Sequence, residues 1–210
     1  MKNKRVLGMI GALLAIILVA VIYPMLNNKN DANKADGTKK VKVGVLQLVS
    51  HPSLDEIYKG IQDGLAEEGY DKDKIEIEFL NAEGDQNKVA TMSKQLVQNN
   101  NDVLIGIATP SAQGLASATK DKPIVMGAIT DPVGANLVKD LKKPGGNITG
   151  VSDHNPTEQQ LKLIKELTPN VKTIGVLYST SEDNSKTQVE EFTKLAEKAG
   201  YKVVPYSVPS

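Results

Sequence analysis

The sequence predicts an α/β protein of two parallel-sheet lobes, preceded by a membrane helix at its N-terminus. Three observations carry this. From Val41 onward, short apolar runs alternate with amphipathic stretches, the pattern of parallel strands joined by helical crossovers. A Pro/Gly-rich break at Pro144–Gly146 interrupts that pattern, as expected where a chain leaves one sheet and enters another. Finally, an uncharged run from Val6 to Leu26 follows Lys2, Lys4 and Arg5.

That first run is long enough to cross a bilayer, which takes about 20 apolar residues at about 1.5 Å rise each. A signal-peptide core is shorter, about 7–15 residues, and is followed by small residues at the cleavage site. Here the exit is Tyr23, Pro24 and Met25. Residues 1–26 therefore read as a signal peptide or an uncleaved membrane anchor, with the anchor favoured. The cationic flank stays inside, so the rest of the chain lies outside. There is no cysteine to carry a lipid, so this segment itself has to do the holding. Residues 27–40 are polar and Asn/Lys/Asp-rich, a disordered tether.

The folded part begins near Val41. Val41–Val49 is a valine-rich run suited to a buried parallel strand. Ser53 and Glu56 have capping-box spacing, and Leu54, Ile57, Ile61 and Leu65 follow at helical intervals up to Gly69. Ile75–Leu80 is the second strand. Asp85 caps a helix whose apolar face is Val89, Met92 and Leu96. Val103–Ile107 is the third strand, and Pro110 is placed at the first position of an alanine-rich helix. Pro123–Ala128 is the fourth strand, followed by a loop over Thr130–Asn147 and a short extended piece at Ile148–Ser152. Asn155 is expected to cap the next helix, with Pro156 in its first position and Glu158 in its third. A strand over Val171–Tyr178, a helix from about Asn184 to Ala199 and a strand over Val203–Val208 complete the chain. Residues 41–150 then form one lobe and residues 151–210 part of a second.

Composition excludes several functions. Twenty-five basic residues balance 25 acidic ones, without the basic excess or stripe a nucleic-acid partner requires. The absence of cysteine removes disulfides, thiolate metal sites and a cysteine nucleophile. His51 and His154 are the only histidines and share no ligand spacing, so no metal is expected. Ser152, Asp153 and His154 contain the letters of a catalytic triad but lack the second glycine of a nucleophile elbow. No glycine-rich phosphate loop follows the first strand, so neither a nucleotide cofactor nor a catalytic residue is predicted. A regulator that binds DNA would need a basic helix-turn-helix where the apolar N-terminal run stands.

In open parallel sheets ligands bind beyond the carboxyl ends of the strands. The segments there are Gln47–Ser53, Ala108–Ser111, Thr130–Pro132, Ser152–His154 and Ser179–Ser185, all small, polar or hydroxylic. Three of them lead into helix N-termini, whose free N–H groups favour an anion, while Asp131 and Asp153 suit a cation. Together they fit a zwitterion. Helix capping and turn building account for the same residue types equally well.

Read as ordered motifs, QLVSHPSLD (47–55), GIATPSAQ (106–113), TDPVGA (130–135), PGGNITGVSD (144–153) and YSTSEDNS (178–185) resemble the substrate-binding proteins of ABC transporters of the tryptophan/tyrosine type (TrpX-like). The resemblance covers nearly everything from Val41 onward. It implies the type I periplasmic-binding-protein architecture, in which two doubly wound lobes close on a ligand. It also implies ligand contacts from Gln47, Ser50, His51, Thr109, Ser111, Ala112, Thr130, Asp131, Ser152 and Asp153, with Ser181 and Asn184 from the second lobe. The implied cargo is an amino acid, often aromatic, passed to ABC permease and ATPase subunits. Aromatic residues are only 4% of the chain, with no tryptophan, which speaks against a sugar held by stacking. Members of this group carry a longer second lobe than residues 151–210 supply, so the 210-residue chain is expected to bind weakly or not at all on its own. A membrane-anchored sensor ectodomain on the same fold is the competing reading.

Overall fold

The computed structural model describes residues 40–209. The expected membrane helix and tether lie outside the described residues, among which no helix is long and apolar enough to cross a membrane.

Among the described residues twelve elements follow in the order β1 (Val41–Gln47), α1 (Pro52–Glu67), β2 (Ile75–Asn81), α2 (Gln86–Gln98), β3 (Val103–Ile107), α3 (Thr109–Ala118), β4 (Ile124–Ile129), β5 (Ile148–Ser152), α4 (Thr157–Leu167), β6 (Thr173–Ser179), α5 (Asp183–Lys198) and β7 (Lys202–Val208). The first five strands form one parallel sheet in the order β2-β1-β3-β4-β5, and β6 and β7 pair in parallel as a second.

Both faces of the five-stranded sheet are covered, which is why its strands are apolar throughout. Side chains alternate along each strand. Leu46, Leu104, Ile124 and Met126 therefore join Val89 and Leu96 of α2 and Leu115 of α3 on one face. On the other face Val43, Val45, Val103, Ile105 and Val125 join Leu65 of α1, with Leu54, Ile57 and Ile61 packed alongside. Each fully buried Leu, Ile or Val contributes about 1.5–3 kcal/mol. The β6–β7 unit is thinner. Ala196 is its one buried apolar side chain among the described residues, and Leu177 and Tyr206 are 72% and 60% exposed.

The elements expected from Val41 onward are present among the described residues, with corrections at their ends and at the change of sheet: β5 follows the Pro144–Gly146 break yet pairs with β4, so the chain leaves the first sheet only after Ser152. α1 is capped by His51, whose Nδ1 accepts from Ser53 N at 3.2 Å, and Pro52 opens the helix, so Ser53 and Glu56 form no capping box. Asp85 caps α2 as expected, accepting from the amides of Asn87 and Lys88. α3 starts at Thr109, one residue before Pro110. α4 starts at Thr157 with Pro156 in the cap position and no side-chain cap, so Asn155 does not serve there.

Candidate functional site

The strand order reverses between β1 and β3, which lie side by side although the chain visits β2 between them. Helices leaving two such strands diverge to opposite faces, so the carboxyl edge opens into a crevice there. Register brings the ends together, with Gln47 beside Ile107 and Ile129 beside Ser152.

Gln47 ends β1 with its side chain fully buried. Its Nε2 donates to Val49 O at 2.9 Å and to Asp55 Oδ1 at 2.7 Å. Ser50 Oγ donates to the same carboxylate at 3.3–3.4 Å. Ser50 and His51 are exposed at the rim.

β3 runs into α3 through a strained turn. Ala108 has φ 74 and ψ 156, a region nearly restricted to glycine and costing about 1–3 kcal/mol for other residues. Ala128, in the irregular end of β4, has φ 57, and Ala108 N donates to Gly127 O between these two strand ends. The turn presses α3 onto the sheet. A Cβ on Gly106 would lie 2.7 Å from both the Cα and N of Ala112, so only glycine fits there. Thr109, Ser111 and Ala112 are consequently buried, with Ala112 in the core. No side chain caps α3, which leaves its positive N-terminal end free for an anion.

At the end of β4, Thr130 is buried and its carbonyl accepts from Ser152 Oγ at 3.4 Å. Asp131 turns one carboxylate oxygen, Oδ1, back onto Gly134 N at 2.8 Å, building the turn that follows. Asp153 is exposed, held through its backbone N to Ile129 O. His154 stands 3.7 Å from Glu191 of α5.

The second unit reaches this edge through α5. Gln188 Nε2 donates to Thr130 Oγ1 at 3.2 Å, and Gln113 Nε2 of α3 donates to Asp183 Oδ2 at 3.0 Å. The Gln113 bond, then Lys186, holds the Asp183 carboxyl below its ordinary range. Ser181 is exposed, sharing a 2.8 Å hydrogen bond with Ser179. Asn184 lies in the first turn of α5, which also has no side-chain cap. Asp55, Gln113, Asp183 and Gln188 were not among the residues singled out from sequence. Three of them lie within the quoted motifs, but nothing in the motifs indicates that they bond one another or the strand ends.

Among the described residues, four buried side-chain polar atoms lack a hydrogen-bond partner: Gln47 Oε1, Ser111 Oγ, Asn184 Oδ1 and Ser93 Oγ. Ser93 sits in the α2–α3 contact against Gly114. The other three all come from the strand-end segments. Buried groups of this kind are rare and call for a partner such as water or a ligand. No cluster of His, Asp and Glu among the described residues is arranged to hold a metal ion.

Residues 42–210 match the family model described as ABC transporter substrate binding protein. The chain belongs to that family. The chain is 44% identical over 209 residues to the tyrosine-binding protein of Clostridioides difficile strain R20291, an alignment covering 97% of this chain and 60% of that one. An ABC domain from Streptococcus pneumonia, solved in complex with L-Trp, is 75% identical with a TM-score of 0.80, covering 82% of this chain and 58% of that one. A ligand-free, open structure of a substrate-binding protein with adhesive properties from Clostridium difficile is 42% identical with a TM-score of 0.62, covering 80% and 58%. The fold is that of the type I periplasmic-binding-protein neighbours. The chain spans about three fifths of the length of these relatives.

Proposed function

We propose that this chain is the extracytoplasmic solute-binding component of an ABC importer, not an enzyme, and that it takes an aromatic amino acid, tryptophan or tyrosine, in a cleft between two lobes. Residues 41–150 supply most of the first lobe's wall and residues 151–210 part of the second's. The cargo passes to permease and ATPase subunits.

The observation that carries this reading is the set of orphaned buried atoms. Gln47, Ser111 and Asn184 come from three separate strand ends, and each keeps a polar atom unpaired. Leaving such an atom unpaired costs about 1–3 kcal/mol, a cost that a polar ligand relieves. The uncapped end of α3, with Thr109 and Ser111, suits the carboxylate. Asp131, whose Oδ1 alone is committed to Gly134, and the exposed Asp153 suit the ammonium. Gln47, Ser50 and His51 close the β1 side, Ala112 contributes through its backbone, and Thr130, Ser152, Ser181 and Asn184 complete the rim. The names of the relatives, a tyrosine-binding protein and an L-Trp complex, support the aromatic side chain.

The test is thermal melting of the chain with L-tryptophan, L-tyrosine, L-leucine and a panel of hexoses. A ligand that binds only the folded state raises the midpoint in proportion to ln(1 + [L]/Kd). The aromatic amino acids should raise it. A rise with hexoses alone would refute the ligand class.

A further inference from the structure

We propose that Asp55 is a positioning residue that fixes Gln47 as a hydrogen-bond acceptor toward the ligand. The inference rests on the binding reading above and deepens it.

The side-chain amide of Gln47 has one donating end and one accepting end. Its Nε2 faces Val49 O at 2.9 Å and Asp55 Oδ1 at 2.7 Å. Both partners are acceptors only, so turning the amide over would set Oε1 against two oxygens. The orientation is thereby determined by chemistry. Oε1 is left as the buried end without a partner. Asp55 also accepts from Ser50 Oγ at 3.3 Å, so one carboxylate orders two of the strand-end side chains. It stands in the first turn of α1.

The consequence is a rule for the ligand. Whatever meets Gln47 must donate a proton, as an ammonium or a ring N–H does. A carboxylate would meet a second oxygen there, so the anionic end belongs at α3.

The experiment uses the full chain labelled with nitrogen-15. The Gln47 side-chain amide signal is identified by its loss in Gln47→Met. Its protons should exchange with water at least about tenfold more slowly than those of exposed Gln159. Asp55→Ala should remove that protection, whereas Asp55→Asn, which keeps an accepting oxygen, should retain most of it. Titration with L-tryptophan forms the second arm. Asp55→Ala should weaken binding about tenfold in the native background and less than about twofold when Gln47→Met is already present. 1-Methyltryptophan and indole-3-propionate separate the ring N–H from the ammonium, because the analogue without the paired donor should be insensitive to Gln47→Met. Unchanged exchange in Asp55→Ala, or an equal loss of affinity in both backgrounds, would overturn the proposal. If the native chain responds to neither aromatic amino acid, the ligand reading fails, and the exchange arm still decides the role of Asp55.

Discussion

Gln113 Nε2 donates at once to Asp183 Oδ2, at 3.0 Å, and to Ala135 O, at 3.2 Å. One amide thus ties α3, the turn after β4 and the second unit's α5. The bond to Asp183 is at the surface, so Gln113→Ala should cost no more than about 1 kcal/mol of stability. If the two units close on a ligand as proposed, its larger effect should be on ligand release, because a contact between them favours the closed arrangement. Stopped-flow measurement should give a faster dissociation rate with an almost unchanged association rate. An unchanged dissociation rate would mean that the bond plays no part in closure.

The same bond predicts a pH dependence. Asp183 titrates lower in the folded protein than an ordinary carboxyl does, chiefly because of Gln113 and then Lys186. A depressed folded pKa gives a contribution that is fully present above the unfolded pKa and disappears as pH falls through the folded one. Melting midpoints of the native chain should therefore decline through and below the ordinary carboxylate range more steeply than those of Asp183→Asn. The difference should be small, since the side chain is half exposed. Parallel pH curves would contradict the assignment.

Gly106→Ala probes the seat of α3. The new methyl would press on the backbone of Ala112, which cannot rotate away. Overpacking of this kind costs about 1–3 kcal/mol, and relief requires α3 to lift off β3, carrying Thr109 and Ser111 with it. Denaturant melts should show the loss of stability, and ligand titration should show a loss of affinity. A destabilised variant with full affinity would separate the seat from the site.

Asp131 has two tasks that substitution can separate. Asp131→Ala removes the acceptor for Gly134 N and should lower stability by about 0.5–1.5 kcal/mol. Asp131→Asn retains an acceptor, so its melting midpoint should stay near native. If the carboxylate holds an ammonium, Asp131→Asn should still weaken L-tryptophan binding about tenfold or more, the loss of a charged hydrogen bond, and leave indole-3-propionate unaffected. Equal binding of L-tryptophan by Asp131→Asn and the native chain would confine Asp131 to turn building.

Much of the fold was legible because its signals are local. β3 and β5 coincide with the apolar runs at Val103–Ile107 and Ile148–Ser152, and Asp85 announces α2 by a side chain suited to capping. Helix starts were missed where the cap departs from the usual residue types, as with the imidazole of His51 and with Pro156. The positive φ angles of Ala108 and Ala128 carry no sequence signal, because alanine gives no hint of a conformation that glycine usually takes. At the candidate site the strand-end positions followed from alternation alone, but the pairings did not. Gln188 meets Thr130 across 58 residues and Gln113 meets Asp183 across 70, contacts that only the packed units create.

The most direct test of the central claim is a titration of the nitrogen-15-labelled full chain with L-tryptophan, followed by amide chemical shifts. Saturable changes should concentrate at residues 47–51, 109–112, 130–131, 152–153 and 181–184, with no comparable response to hexoses. Saturable changes centred elsewhere, for example on the groove that Val89, Ala90, Gly114 and Ser117 line between α2 and α3, or no response to either aromatic amino acid, would contradict the proposed site.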